Sequence, residues 1–291
     1  MKFITDDTIV ALATAHGSAA IAVLRLSGPK AIEIVDRFFY TKTLKKKSLA
    51  SKNSHSANFG LIVHQEVIID EVLVTVFKGT NSYTGQDSAE ISCHGSHFIQ
   101  QQLLQIFLDA GARMAEPGEF TMRAFLNKKL DLSQAEAVAD LIASNSSVSH
   151  QVAMQQMRGG VSDKIKMLRS NLVNFASLIE LELDFSEEDV EFADRKDLKN
   201  LITTINSVIH KLINSFELGN VIKNGVPVAI VGKPNAGKST LLNVLLEDDR
   251  AIVSEIPGTT RDTIEDEIII DGILFRFIDT AGLRTTTDII E

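Results

Sequence analysis

Short runs of alternating hydrophobic and polar residues fill the first part of the chain. TIVALAT (8–14) and AAIAVLRLSG (19–28) predict two strands, the second of which closes in a Ser-Gly-Pro turn. LIVHQEVIIDEVLVTVF (61–77) predicts a hairpin with its turn near Asp70. Residues 96–113 carry apolar positions at helical spacing instead, so these patterns together predict an α+β domain.

Helical spacing alone dominates from about residue 120 to residue 217. No glycine lies between Gly118 and Gly159. Two apolar stripes repeat at intervals of three and four residues: Ile165, Leu168, Leu172, Phe175 and Ile179, then Ile202, Ile205, Ile209, Leu212 and Phe216. They predict two long helices, joined by an acidic loop at 184–192, that pack in an antiparallel bundle or against other helices.

The last part of the chain combines strand-like runs with helical spacing, and it predicts an α/β domain. VPVAIV (226–231) has the composition of a buried strand, and 238–247 has helical spacing. TIEDEIIIDGILFRFID (263–279) predicts two strands joined at Asp271 and Gly272, a pair that is typical of tight hairpins.

Composition changes this picture only in part. The net charge of −9 gives no overall attraction to nucleic acid, so any RNA contact needs a local basic patch. The candidates are the run 42–47 and the cations Arg113, Arg123, Lys128 and Lys129.

The remaining features of composition predict a cytoplasmic protein. Cys93 is the single cysteine, so no internal disulfide forms, and its apolar surroundings favour a small buried residue. Asp6 and Asp7 stand where a signal peptide would be apolar. No apolar run approaches the roughly 20 residues that span a bilayer.

The strongest chemical signal is a phosphate-binding loop. Residues 232–239, GKPNAGKS, match G-x-x-x-x-G-K-[ST] between a predicted strand and a predicted helix. Backbone N–H groups of such a loop surround phosphate oxygens. Lys238 is expected to neutralise the β- and γ-phosphates, and the Ser239 hydroxyl is expected to bind Mg²⁺.

Two further segments follow in the order expected of a GTPase with switch regions. IPGTTRD (256–262) supplies a threonine, Thr260, that completes the coordination of Mg²⁺ while the γ-phosphate is present. In DTAG (279–282), Asp279 is expected to act on Mg²⁺ through water, and the Gly282 N–H to sense the γ-phosphate.

The residue after DTAG is Leu283, where Ras-type enzymes carry a glutamine that orients the attacking water. Leucine cannot hydrogen-bond water, so another group must assist hydrolysis. The residues alone leave two alternatives: a monovalent cation held by the Asn235 side chain, or orientation of water by Glu291.

PGEFTMRAFLNKKLDLSQAEAVADLI (117–142), together with GKPNAGKSTLLN, GTTRD and DTAGLR, resembles the TrmE family of tRNA-modification GTPases over the whole chain. The resemblance implies a multidomain chain with an α+β N-terminal domain, an α-helical middle domain and part of an α/β Ras-like P-loop domain. The implied boundaries are 1–119 for tetrahydrofolate binding and dimerisation, 120–217 for an incomplete helical domain, and 218–291 for the start of the GTPase domain.

The resemblance also implies a function. Members are K⁺- and Mg²⁺-dependent GTP hydrolases that act as homodimers with an FAD-dependent partner of the MnmG (GidA) type in a heterotetramer. Together they add a carboxymethylaminomethyl or aminomethyl group to carbon 5 of the wobble uridine of certain tRNAs. The one-carbon unit comes from a tetrahydrofolate derivative, 5-formyl- or 5,10-methylene-tetrahydrofolate.

The resemblance assigns roles to individual residues. It implies that Ser239 and Thr260 bind Mg²⁺, and that Glu291 positions the catalytic water, with Asn235 and Lys238 as the other catalytic residues. The K⁺ ligands it implies are Asn235, Ser254, Ile256 and Thr259. The full nucleotide-binding set is Asn235, Ala236, Gly237, Lys238, Ser239, Thr240, Ser254, Glu255, Ile256, Pro257, Gly258, Thr259, Thr260, Asp279, Thr280, Ala281 and Gly282.

The folate residues implied by the resemblance are Arg25, Glu90 and Lys129. A cation at Arg25 or Lys129 would pair with the glutamate carboxylates of folate, and Glu90 would hold the N–H edge of the pterin. The segment 14–20 departs from the Pro/Gly-rich pattern of the family, so the rim of the pocket is expected to differ.

The guanine-reading N-K-x-D motif does not occur, and we expect a fragment that stops inside the second switch region. Two alternatives to the leading interpretation remain open. One is an Era-like ribosome-assembly or regulatory GTPase, which would lack a folate-binding front half. The other is a folate-binding dimerisation fragment with an inactive nucleotide site.

Overall fold

The computed structural model describes residues 6–46, 48–184, 194–231, 237, 240–241, 244–245, 252–253 and 265–278. The chain divides into two compact units, Met1–Ala135 and Glu136–Glu291. No helix among the described residues is both long enough and apolar enough to cross a membrane.

A seven-stranded sheet forms the first unit. Its strands are β1 (Ile9–Leu12), β2 (Ile21–Ser27), β3 (Phe39–Tyr40), β4 (Ser56–His64), β5 (Val67–Phe77), β6 (Ser88–His94) and β7 (Arg113–Met114). The helices are α1 (Ala31–Phe38), α2 (His97–Asp109) and α3 (Glu119–Leu126), and α4 (Leu132–Ala143) follows. The strand order is β3-β4-β5-β6-β2-β1-β7, and neighbouring strands are antiparallel except for the parallel pair β1 and β7.

The core lies on one face of this sheet, where α1 and α2 cover it. Leu24 and Val74 point from the strands into a cluster with Ile34 of α1 and Phe107 of α2, and all four are fully buried. Because side chains alternate along a strand, Arg25 and its neighbours project from the opposite face, which is half exposed. The strands and the α2 helix predicted from the sequence are confirmed, and Cys93 is buried as expected.

The first predicted hairpin is confirmed, but the predicted position of its turn is wrong. The chain turns at Gln65 and Glu66, which have φ values of 49° and 65°. Asp70 lies within β5 instead, where its carboxylate accepts hydrogen bonds from the His94 backbone N–H at 2.7 Å and pairs with His94 Nδ1 at 2.6 Å. His94 on the neighbouring strand therefore binds Asp70 within the sheet, although aspartate is a residue type that favours turns.

Helices make up most of the second unit. After α4 come α5 (Ser147–Met157), α6 (Gly160–Asp184) and α7 (Arg195–Asn224), which pack against one another. The two predicted stripes fall on α6 and α7, so the prediction of two long helices is confirmed. Leu168 is buried, but Ile165 and Leu172 of the same stripe are exposed. The predicted acidic loop lies outside the described residues apart from Asp184, the last residue of α6.

A four-stranded mixed sheet completes the second unit. Its strands are β8 (Val226–Ala229), β9 (Ile252–Val253), β10 (Glu265–Ile270) and β11 (Ile273–Ile278), in the order β8-β11-β10-β9. β8 is parallel to β11, and the β10–β11 hairpin turns at Asp271 and Gly272 with φ values of 51° and 80°. The second predicted hairpin is therefore confirmed, and the sheet is consistent with part of an α/β domain.

The turn of the β10–β11 hairpin lies against the start of α5. A Cβ atom at Gly272 would overlap the Ser147 hydroxyl oxygen, so only glycine fits this approach as it stands. The Ser146 hydroxyl caps the same helix by accepting from the Ser149 backbone N–H. Lys223, near the end of α7, forms a 2.6 Å ion pair with Asp140 of α4.

Candidate functional site

An ion pair stands at the centre of the half-exposed face of the first sheet. Arg25 of β2 lies directly opposite Glu90 of β6, with their side chains 27% and 29% exposed. Nε of Arg25 donates to Oε1 of Glu90 at 2.8 Å, and Nη2 lies 2.7 Å from the same oxygen as an ion-pair contact. Among the described residues nothing is hydrogen-bonded to Oε2 of Glu90 or to Nη1 of Arg25. The pair thus offers an acceptor and a donor side by side.

Two aromatic rings flank the Arg25 guanidinium. Its central carbon lies 5.2 Å from the centre of the Tyr83 ring and 5.7 Å from that of Phe120, within the range of cation–π attraction. The Tyr83 hydroxyl is 2.8 Å from the hydroxyl of Thr121 in α3. The loop 78–87, which joins β5 to β6 and carries Tyr83, is therefore fixed to the helix that carries Phe120.

Lys129 contacts the same loop from another direction. Its Nζ donates to the Thr80 carbonyl at 2.8 Å, and the nearby Asn127 amide donates to the Thr84 carbonyl at 2.7 Å. Gly85 faces these side chains closely: a Cβ there would lie 3.2 Å from Cγ of Lys129. The structure thus brings Arg25 and Glu90 into direct contact and places Lys129 against the loop beside them.

A buried layer of hydroxyl groups supports the base of this loop. The Ser27 and Thr84 hydroxyls are 2.6 Å apart, and the Ser88 hydroxyl donates to Ser27 at 3.1 Å. All three side chains are buried, so each hydrogen bond also avoids the cost of an unsatisfied polar group. These bonds join the loop to β2 and β6, the two strands that carry the ion pair.

A second group of charges fixes α3 to the start of the sheet. Arg123, a candidate RNA-binding cation from the sequence, is fully buried, so that prediction is wrong for this residue. It donates to Glu119 at 2.9 Å, to the Asp7 carbonyl at 2.8 Å and to Gln86, and it also pairs with the Asp7 carboxylate. Arg113 binds Glu119 through both of its terminal nitrogens, at 2.7 and 3.0 Å.

These contacts change the acidity of the two carboxylates. Burial raises the pKa of Glu119, but hydrogen bonds from Arg113, the Glu116 backbone N–H and Arg123 outweigh it and bring the pKa to about 2. The pKa of Asp7 is also lowered, because its contacts with Arg113 and Arg123 outweigh the effect of burial. Both groups are therefore anionic and paired at neutral pH, which suits a structural role.

The predicted nucleotide site falls almost wholly outside the described residues. Gly237 is described, with a φ of 84°, and its carbonyl accepts from the Leu241 N–H at 2.9 Å, which marks the start of a helix. Thr240 is helical, as are 241 and 244–245. The predicted residues outside the described part are Asn235, Ala236, Lys238, Ser239, Ser254, Glu255, Ile256, Pro257, Gly258, Thr259, Thr260, Asp279, Thr280, Ala281, Gly282 and Glu291.

The ligands predicted for Mg²⁺ and K⁺ are among those residues. Within the described part of the chain, no three His, Cys, Asp or Glu side chains are grouped closely enough to hold a metal ion. The ion sites therefore remain predictions from the sequence motifs.

Sequence reasoning missed Tyr83 and Phe120. Tyr83 is one of only two tyrosines, and it lies in a Gly- and Ser-rich loop where no core packing requires an aromatic ring. That placement was a usable signal. The sequence carries no such signal for Phe120, because a phenylalanine at the start of an amphipathic helix usually belongs to a hydrophobic core.

Two family models match the chain. The model described as GTP-binding protein TrmE N-terminus matches residues 8–129, and the MnmE helical domain matches residues 132–285. The first range contains Arg25, Glu90 and Lys129. The second contains the phosphate-loop motif.

Curated relatives agree with these models. A protein named tRNA modification GTPase MnmE from Flavobacterium johnsoniae is 63% identical over 288 residues, which are 99% of this chain and 61% of the relative. Proteins of the same name from Cytophaga hutchinsonii and Bacteroides fragilis are 63% and 60% identical, with 98% of this chain and 61% of each relative covered. The chain thus spans 61% of the length of these relatives. Since the helical-domain model alone matches more than half of the chain, the chain belongs to the MnmE family, which also bears the name TrmE.

Proposed function

We propose that this chain supplies the folate-binding and nucleotide-binding parts of a K⁺- and Mg²⁺-dependent GTPase that modifies the wobble uridine of tRNA. The names of its relatives and the phosphate-loop motif support the GTPase and tRNA parts of the proposal. The geometry that supports the folate part best is the Arg25–Glu90 pair, a partly exposed donor–acceptor couple inside the range that matches the N-terminal family model.

The arrangement of the three folate residues suggests a division of roles. A pterin edge presents N–H donors beside an acceptor, which complements Oε2 of Glu90 and Nη1 of Arg25. Lys129 then remains for the glutamate carboxylates of the ligand, after it leaves the Thr80 carbonyl. In this proposal Arg25 acts at the pterin end, whereas the family resemblance leaves it as a candidate for the carboxylates.

The residues of the nucleotide motif suit the chemistry proposed for them. Lys238 and Ser239 would hold the phosphates and Mg²⁺, and Asn235 would hold K⁺ with backbone atoms of 254–259, while Glu291 would orient water. When bound, the two ions would supply positive charge against the phosphate oxygens.

Self-association as a homodimer is a further part of the proposal. The sheet face that carries Arg25 also exposes Ile21, Phe59 and Leu73, at 64%, 48% and 40%. Such an apolar surface favours burial against a partner. The FAD-dependent MnmG-type partner is proposed from the family resemblance, and tRNA from the relatives' name.

The folate proposal is tested by calorimetric titration of the purified chain with 5-formyltetrahydrofolate. Glu90→Gln and Arg25→Met should each weaken binding by about tenfold or more, because each removes a hydrogen bond to a charged group. Glu71→Gln, which alters an exposed carboxylate 3.9 Å from Lys42, is the matched control. Equal affinity in all four proteins would contradict the proposal.

GTP turnover in KCl and in NaCl tests the nucleotide proposal. Faster turnover in KCl, abolished by Asn235→Ala, is the expected result. No turnover in either salt, with folate still bound, would favour the inactive dimerisation module. Turnover without folate binding would favour the Era-like alternative.

A further inference from the structure

The Arg25 side chain is held from two sides by different kinds of contact. Glu90 holds one side of the guanidinium through a single oxygen, Oε1, which accepts a hydrogen bond from Nε and lies 2.7 Å from Nη2. The rings of Tyr83 and Phe120 contact the guanidinium by cation–π attraction, with their centres 5.2 and 5.7 Å from its central carbon.

This arrangement decides which atoms are left for a ligand. An arginine on a carboxylate alone can rotate to bind both oxygens in the parallel, two-pronged geometry that such pairs favour. Here Nε and Nη2 both lie against Oε1, and Oε2 stays unpaired among the described residues. The two rings restrict the guanidinium plane, which accounts for the retention of this less common geometry.

The tyrosine ring is itself fixed. Its hydroxyl is hydrogen-bonded to Thr121 at 2.8 Å, and its loop is tied down by the Asn127 amide and the buried Ser27–Thr84 contact. Phe120 sits one residue before Thr121 in α3, whose first residue is joined to Arg113 and Arg123. The two rings therefore belong to one supported structure.

We infer that Tyr83 and Phe120 are positioning residues, which hold the Arg25 guanidinium so that Glu90 keeps one carboxylate oxygen for the ligand. The inference rests on the proposed folate function for the identity of that ligand. It deepens that proposal by adding two aromatic residues that act through Arg25.

The first test measures binding of 5-formyltetrahydrofolate to ring-deleted variants. Tyr83→Leu and Phe120→Leu should each weaken binding about fivefold to twentyfold, the effect of losing one partly desolvated cation–π contact. Tyr83→Phe keeps the ring and should restore most of the affinity. Tyr40→Leu is the matched control. It removes a different cation–π contact, in which Nζ of Lys46 lies 4.3 Å from the centre of the Tyr40 ring.

A double-mutant cycle separates positioning from general loss of structure. In an Arg25→Met background, Tyr83→Leu should have no further effect on affinity, because the ring acts through the arginine. An undiminished effect in that background would overturn the inference. So would full affinity in both Tyr83→Leu and Phe120→Leu.

A measurement without ligand keeps the inference distinct from the folate proposal. In the ligand-free protein, the side-chain NMR signals of Arg25 should be shifted upfield by the two rings, and Tyr83→Leu should reduce that shift. If Tyr83→Leu reduces the shift but no protein binds folate, folate is refuted as the ligand, while the contact between the rings and Arg25 is supported. Unshifted Arg25 signals in the wild-type protein would overturn the contact itself.

Discussion

At the scale of single residues, Arg123 lies in surroundings that its chemistry alone would not suggest. A fully buried guanidinium is stable only where carboxylates and carbonyls accept its hydrogen bonds. Those partners come from Asp7 and Gln86, distant in sequence, as well as from Glu119 one helical turn away. The sequence therefore showed a cation but not its burial, because burial depends on groups that only the fold assembles.

Removal of Glu119 should destabilise the first unit strongly. Glu119→Ala leaves the buried Arg123 without its main partner, which typically costs about 3–5 kcal/mol of the free energy of unfolding. Urea denaturation followed by circular dichroism measures the change. Glu33→Ala, which breaks an exposed pair with Arg37 on α1, is the control and should have little effect. Equal stability of both variants would contradict the role of Glu119.

The same carboxylate predicts how stability depends on pH. Its pKa is about 2 in the folded chain against an ordinary 4.5, so its stabilisation is complete above pH 4.5. As the pH falls from 4.5 towards 2, protons bind the unfolded state first and the free energy of unfolding declines. Asp7, with its pKa also lowered, adds to this decline. Glu119→Gln should flatten the curve in this range, and an unchanged slope would refute the assignment.

The folate residues illustrate a second limit at this scale. Arg25, Glu90 and Lys129 were assigned through family resemblance, since each alone is an ordinary surface charge. The pairing of Arg25 with Glu90 follows from strand register, which the alternating pattern did not fix.

At the scale of elements, the two hairpins show which turns a sequence reveals. Asp271 and Gly272 are residues that adopt positive φ readily, and their turn was predicted correctly. Gln65 and Glu66 adopt the same kind of backbone without residues that favour it, so the turn was misplaced. The strands on either side were still predicted, because their hydrophobic pattern does not depend on the turn.

The Gln65–Glu66 turn offers a stabilising substitution. Left-handed backbone costs an ordinary residue about 1–2 kcal/mol, and Asn-Gly is well suited to such a turn. Gln65→Asn combined with Glu66→Gly should therefore raise the free energy of unfolding by about 1 kcal/mol. Thermal and urea unfolding measure it. Glu66→Ala keeps the strain and should bring no gain; a gain from it equal to that of the double variant would contradict this account.

At the scale of the whole molecule, the first unit contains its own hydrophobic core. Every member of the cluster around Leu24 and Phe107 lies between Val10 and Ala112. The sequence predicted this α+β unit and the helical and mixed regions that follow it. It did not predict how far the apolar stripe of α6 stays exposed, because exposure depends on what packs beside each helix.

A fragment of residues 1–143, which contains the first unit and all of α4, should therefore fold by itself. We expect cooperative unfolding in urea and the same affinity for 5-formyltetrahydrofolate as the whole chain, since Arg25, Glu90 and Lys129 are all retained. A fragment that unfolds without a cooperative transition would show that the core needs the second unit.

The glycine turn between β10 and β11 has a mechanical consequence. One end of the hairpin touches Ser147 at the start of α5, and the other end, at Ile278, is followed directly by Asp279 of the predicted switch segment. A six-residue strand spans about 20 Å and resists stretching along its length, since it is nearly extended. Because the hairpin meets α5 by packing alone, a movement of the strands towards the helix would press on it at Ser147, and a movement away would leave the helix in place.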